Sequence, residues 1–179
     1  MKKEHGFTLV EMLVALVVFV LIGGVAFNLL VSSIAGQRTA LANQAVVDQV
    51  SSAAEYMSRV IRQAKKDLID QCLTTGTHLN YEISGGGQTL RLLDKEGICR
   101  EFSFASGAIQ ERKSPDGTAA GFEAAIPLTS NNIVIQGLWF FMQGEVQTDN
   151  LQPRVTFFID AQGLQLQTTI SQRKFDVVE

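Results

Sequence analysis

No lysine or arginine lies between Glu11 and Arg38, and from Phe7 to Ile34 the one ionisable side chain is Glu11. About 20 such residues suffice to cross a bilayer as a helix. Proline is missing from Phe7 through Asp70, the first of three being Pro115, so nothing of that kind breaks a helix there. Histidine and cysteine number two each. With one histidine, His5, ahead of the apolar run and the other, His78, in a Thr-Gly-Thr-His loop, a zinc site lacks ligands. A Ser or Cys nucleophile likewise lacks its base. Gly85-Gly86-Gly87 falls between strand-like stretches and not before a helix, which excludes a phosphate-binding loop. Basic residues are not in excess either: 15 Lys and Arg stand against 18 Asp and Glu, for a net charge of −3. A nucleic-acid surface needs a basic stripe, so no nucleic-acid partner is expected. No catalytic set remains, and the chain is expected to be neither an enzyme nor a carrier of a cofactor or metal. Asp160, Asp176 and Glu179 follow no calcium-loop spacing and read as solvated charges.

What is present is a carboxylate where it is costly. A charged group at membrane depth costs about 2.5 to 3.5 kcal/mol on insertion scales, so an intramembrane Glu implies a partner. Cleavage after Gly6 would create one. Phe7 would then carry a cationic amine, and Glu11 would stand one helical turn away, able to pair with it or with a neighbour's amine. In a bundle of such helices that pairing fixes axial register, because an unpaired charge among apolar side chains is expensive. Two rival readings fit less well. A secretory signal with cleavage near Ser33-Ile34-Ala35 has an apolar region of about 7 to 15 residues, too short for this run, and no Glu inside it. A plain single-span anchor explains the length and leaves Glu11 after Gly-Phe unaccounted for. Lys2 and Lys3 ahead of the span put the first residues in the cytoplasm and everything after the span outside it.

Export gives the cysteines their meaning. An even pair in an oxidising compartment points to a Cys72–Cys99 disulfide, with two buried free thiols as the alternative. Beyond the span, Val46, Val50, Ala53, Met57, Val60, Ala64 and Leu68 repeat at helical spacing opposite Asp48, Glu55, Arg59, Arg62 and Lys66. One helix, apolar all round and then one-sided, is expected to about Asp70. After Cys72 the pattern changes to strands and turns: Thr75 to Ile83, Gly85-Gly86-Gly87 and Thr89 to Leu93 read as a loop and a hairpin, and Ile98 to Phe104 as a strand with Cys99 on the face away from Phe102. Lys113 to Gly121 reads as a loop. An apolar strand from Asn132 to Met142 slips phase at Gln136-Gly137, a bulge. Residues 154–161 and 164–170 alternate about Gln162-Gly163 as an antiparallel hairpin. Trp139 and the Phe residues beside it are expected in the core.

The residues Gly6-Phe-Thr-Leu-Val-Glu-Met-Leu-Val-Ala-Leu16, after a short basic leader, resemble the type IV prepilin signal shared by pilins and the pseudopilins of type II secretion. The resemblance implies a prepilin peptidase that cuts between Gly6 and Phe7 and N-methylates Phe7, and an assembly role for Glu11. It also implies a pilin-like α+β fold: leader 1–6, membrane and fibre-core half of the helix 7–34, amphipathic half 35–72, and an exported β-sheet domain 73–179. Many pilins carry a proline in the membrane half; here Gly23-Gly24 is the soft point. Leu128-Thr129-Ser130, Gln152-Pro-Arg-Val-Thr156 and Leu166-Gln-Thr-Thr-Ile-Ser-Gln-Arg173 resemble the J-type minor pseudopilins and the related PilW minor pilins. Glu11 argues against the K-type tip subunit, which lacks it. The implied function is that of a minor fibre subunit in the inner membrane, partnered by the peptidase and by other pilin or pseudopilin subunits. The alternative is an anchored, exported binding module that never polymerises.

Overall fold

The computed structural model describes residues 8–76, 78–144 and 151–173. The chain divides after Gln44 into two compact units. One helix, α1 (Leu9–Arg62), runs through the boundary.

In the first unit every described residue is exposed, from Thr8 to Gln44. Thr8 starts the helix: the Glu11 N–H donates to its hydroxyl at 3.3 Å and the Met12 N–H to its carbonyl at 3.2 Å. This is the Thr-x-x-Glu pattern of an N-terminal cap. The few polar side chains farther along bond back to the helix itself. Asn28 Nδ2 donates to the Gly24 carbonyl at 3.0 Å and the Thr39 hydroxyl to that of Ala35 at 3.2 Å, which hides their polarity from an apolar surrounding. The helix is long and apolar enough to cross a membrane.

In the second unit α1 buries Val46, Val50, Ala53, Ala54, Met57, Val60 and Ile61. The helix stops at Arg62, short of the expected end near Asp70, and 63–72 is not helical. Carbonyls at and just past its end are taken by tertiary donors: the Tyr81 hydroxyl bonds Ile61 O at 2.8 Å, the Arg173 N–H bonds Arg62 O at 2.9 Å, and Gln172 Nε2 reaches Ala64 O, two residues beyond the helix, at 2.9 Å. Lys65 then pairs with Leu93 as a bridge. Leu68, expected on the buried stripe, is 60% exposed.

Eight strands follow among the described residues. β1 (Tyr81–Ser84), β2 (Thr89–Leu93), β3 (Cys99–Ala105), β4 (Ala108–Ser114) and β5 (Ile126–Pro127) form one antiparallel sheet in that order. β6 (Ile135–Gln143), β7 (Arg154–Ala161) and β8 (Leu164–Ser171) form the other. The loop and hairpin expected over Thr75 to Leu93 are there, β1 pairing with β2 across Gly85–Gly87, and Asp67 and Glu82 hold the stretch before it in an irregular loop through backbone N–H groups. β4 was not expected; a two-residue turn at Ser106-Gly107, both at positive φ, returns the chain antiparallel to β3. The bulge falls where the sequence places it, between Ile135 and Gly137, and the last hairpin pairs Ala161 with Leu164 across Gln162-Gly163. Tyr81, Leu90, Leu92, Phe102 and Ile109 from the first sheet join Leu138, Phe140, Val155, Phe157 and Ile159 from the second and the stripe of α1 in one core.

Candidate functional site

Glu11 is the third residue of α1 and stands in its first turn, where the positive end of the helix dipole favours a carboxylate. It lies on an open face shared with Val14, Ala15, Val18, Phe19 and Ile22, at one-turn spacings. Its side chain is exposed. An exposed carboxylate on such a face can accept hydrogen bonds or an ion pair from a cation. Gly6 and Phe7, the expected cleavage and methylation positions, lie outside the described residues, as do Asp176 and Glu179.

Cys72 and Cys99 form a disulfide, with Cα atoms 5.5 Å apart. Both are fully buried with Leu73 in a small cluster flanked by Leu79, Leu93 and Phe122. Cys99 faces away from the main core, as the strand phase indicates. Cys72 reaches it because the loop after Arg62 crosses that outer face, not because it ends a helix.

The same outer face carries an ion ladder that sequence reasoning missed. Arg91 bonds Glu82 at 3.2 Å and Glu101 at 2.8 Å, and Arg112 reaches Glu101 at 3.4 Å. The Phe122 ring lies 5.3 Å from the Arg91 guanidinium and 4.9 Å from that of Arg112, which covers both cations. On the core side Arg100 bonds Asp94 at 2.6 Å and Glu111 at 2.9 Å, while the Tyr56 hydroxyl donates to Glu111 at 3.0 Å. Burial works against the Arg100 charge, but the bonds to Asp94 and Glu111 outweigh it and raise its pKa. Tyr56 is pushed up by burial and then by Glu111, and burial alone pushes Tyr81 far up. The available signal was alternation, since Arg91, Glu101 and Arg112 stand directly opposite one another in β2, β3 and β4. These groups are saturated by each other, which makes them structural.

His78 is exposed with its N–H on Asp70 at 2.6 Å, and Asp160 stands half-buried in β7. Among the described residues no three His, Cys, Asp or Glu side chains converge as metal ligands. Trp139 corrects the expectation of a core role. With Phe141, 60% exposed, and Phe158 it lines an open groove of about 400 Å³ on the outward face of the second sheet. Phe140 and Phe157, one residue out of phase with them, take the core.

No curated protein matches the chain. Residues 1–27 match the prokaryotic N-terminal methylation motif. The chain therefore carries a type IV pilin-like signal, which contains the Gly6-Phe7 junction and Glu11 and ends inside α1.

Proposed function

We propose that this chain is a structural minor subunit of a type II secretion pseudopilus or a type IV pilus. A prepilin peptidase cuts after Gly6 and methylates Phe7. The mature chain waits as a single-pass protein of the inner membrane, its β-sheet unit outside the cytoplasm, and then enters a fibre with other pilin or pseudopilin subunits. The role is assembly and not catalysis.

The observation that carries this reading is Glu11. It is the one carboxylate in a helix start that matches the methylation motif, it lies on an uncovered apolar face, and no cation of its own helix is near. An N-terminal amine on a neighbouring helix supplies the missing charge, and the cost of leaving either charge unpaired in an apolar bundle sets the axial register. The likeness to J-type pseudopilins and PilW in Leu128–Ser130, Gln152–Thr156 and Leu166–Arg173 supports a minor rather than a major subunit.

Mass spectrometry of the mature N-terminus, wild type against Gly6→Ala, tests it. The expected result is methylated Phe7 in the wild type and an uncut chain in the variant. Glu11→Ala should then be processed normally yet fail to enter fibres. An intact Met1 in the wild type would make the protein an anchored module, and normal fibre entry of Glu11→Ala would refute the pairing.

A further inference from the structure

A sheet edge exposes a row of unpaired backbone groups, and proteins blunt such edges by shortness, charge, proline, bulges or cover. Three of the four edges here are blunted. β1 has four residues and includes Glu82; β5 has two and includes Pro127. β6 is bulged, its Ile135 N–H donates to Gly107 O, and the carbonyl of Phe140 faces Gly87. β8 is different. It is eight residues long, Leu-Gln-Leu-Gln-Thr-Thr-Ile-Ser, without a charge or a proline, and it pairs with β7 in unbroken register. Among the described residues no strand lies on its other side.

The register says which groups are on offer. Ala161 and Leu164 close a two-residue turn, with Gln162 and Gly163 at φ 47° and 85°. In such a hairpin the closing pair exchanges both hydrogen bonds and bonded pairs then alternate. Leu164, Leu166, Thr168 and Ile170 are therefore bonded to β7, and the N–H and C=O groups of Gln165, Gln167, Thr169 and Ser171 point away from it. The hydroxyls of Thr156 and Thr169, 2.8 Å apart, fit the closer side-chain approach of a non-bonded pair. All four outward residues are exposed.

We propose that β8 is a docking edge to which an extended segment of a different protein chain adds as a strand. The edge dictates the segment's chemistry. Leu164 and Leu166 are half-buried on the core-facing lip, so the added strand carries apolar residues on that side. The other side meets amides and hydroxyls. With no charge on β8 to answer one, the segment is uncharged. The Trp139, Phe141 and Phe158 groove reaches the edge at Gln167 and gives a long apolar side chain a seat. The partner's identity rests on the fibre reading above: contacts between subunits along a polar helical fibre are heterologous, so β8 meets a different surface and not a second β8.

The test puts the photo-cross-linker benzoylphenylalanine at Thr169 of the full chain in its native cells, with Ser106 as a control. The expected product joins Thr169, and not Ser106, to an uncharged segment of another subunit bearing the same N-terminal signal. Gln167→Pro removes one outward N–H and leaves the bonds to β7, so it should cut the yield about tenfold. Gln167→Lys, which adds a charge without touching the backbone, should act in the same direction if the proline variant misfolds. Cross-links only to a second copy or to lipid, no cross-link, or a yield unchanged in both variants would overturn the inference. The N-terminus read from the same sample separates the two claims. Methylated Phe7 without the Thr169 product refutes strand addition and leaves the fibre reading standing, whereas an intact Met1 refutes the fibre reading.

Discussion

Replacing Cys72 and Cys99 together by alanine should cost the second unit a large part of its stability. The bond joins positions 27 apart, and removing a loop constraint of that length from the unfolded chain is worth about 3.5 kcal/mol. The sulfurs are fully buried with Leu73, so deleting them costs about 1 kcal/mol more in lost packing. Domains hold only about 5 to 15 kcal/mol in total. For a unit of about 135 residues this amounts to a melting temperature lower by about 15 °C. The full chain in detergent micelles, melted under near-ultraviolet circular dichroism, reads the sheet unit without interference from the first half of α1. Adding reductant to the wild type after unfolding should bring its second melt to within about 4 °C of the variant, which alone has also lost the packing of the sulfurs. A shift below about 4 °C would refute the reasoning, since it would mean that Asp67 and Glu82 hold the 63–80 loop without the cross-link.

Two further outcomes follow from buried side chains. The pKa values of both tyrosines are raised, by burial at Tyr81 and by burial and Glu111 at Tyr56. A phenol raised in the folded state contributes stability that is whole below its unfolded pKa of about 10 and is lost as pH rises through the folded value. Phenolate absorbance should stay low at pH 10 and appear together with unfolding; half-titrated tyrosines in a folded chain at that pH would count against the burial. At Gly137 an added Cβ would run into the Trp139 indole, so Gly137→Ala should cost about 1 to 3 kcal/mol and red-shift the fluorescence of this single tryptophan. An unchanged spectrum and melt would show that the indole does not lie over Gly137.

Much of the fold was legible because period and punctuation are local. The apolar run, the stripe from Val46 to Ala64, the Gln136-Gly137 bulge and the last hairpin all follow from spacing along the chain. The pairing of Cys72 with Cys99 followed from parity and compartment. What escaped was set by distant partners. Nothing near Arg62 marks a helix end, because its stop comes from Tyr81, Gln172 and Arg173. β4 carries Glu111, Arg112 and Lys113 in succession, and the alternation within it shows only once Tyr56, Arg100 and Glu101 are placed against them. Trp139 was assigned to the core because hydrophobicity does not report a face, and the phase slip at the bulge inverts which residues point outward. Of the candidate site, Glu11 was plain as a charge in an apolar run; the open edge of β8 was not, since it depends on which strands end up without a neighbour.

The closure of α1 by Arg173 and Gln172 also sets an order of events. A ribosome delivers Arg62 and Ala64 more than a hundred residues before the groups that occupy their carbonyls, Gln172 reaching Ala64 across 108 positions. Until then the residues closing the helix lack those partners, and the stripe from Val46 to Ile61 has only the first sheet complete to lie on. Contacts of such long range slow folding, so the apolar helix face is fully covered only after the second sheet joins the first. A chain truncated before Gln172 would lack both bonds, which makes the end of the helix a reporter of whether the last hairpin has been laid down.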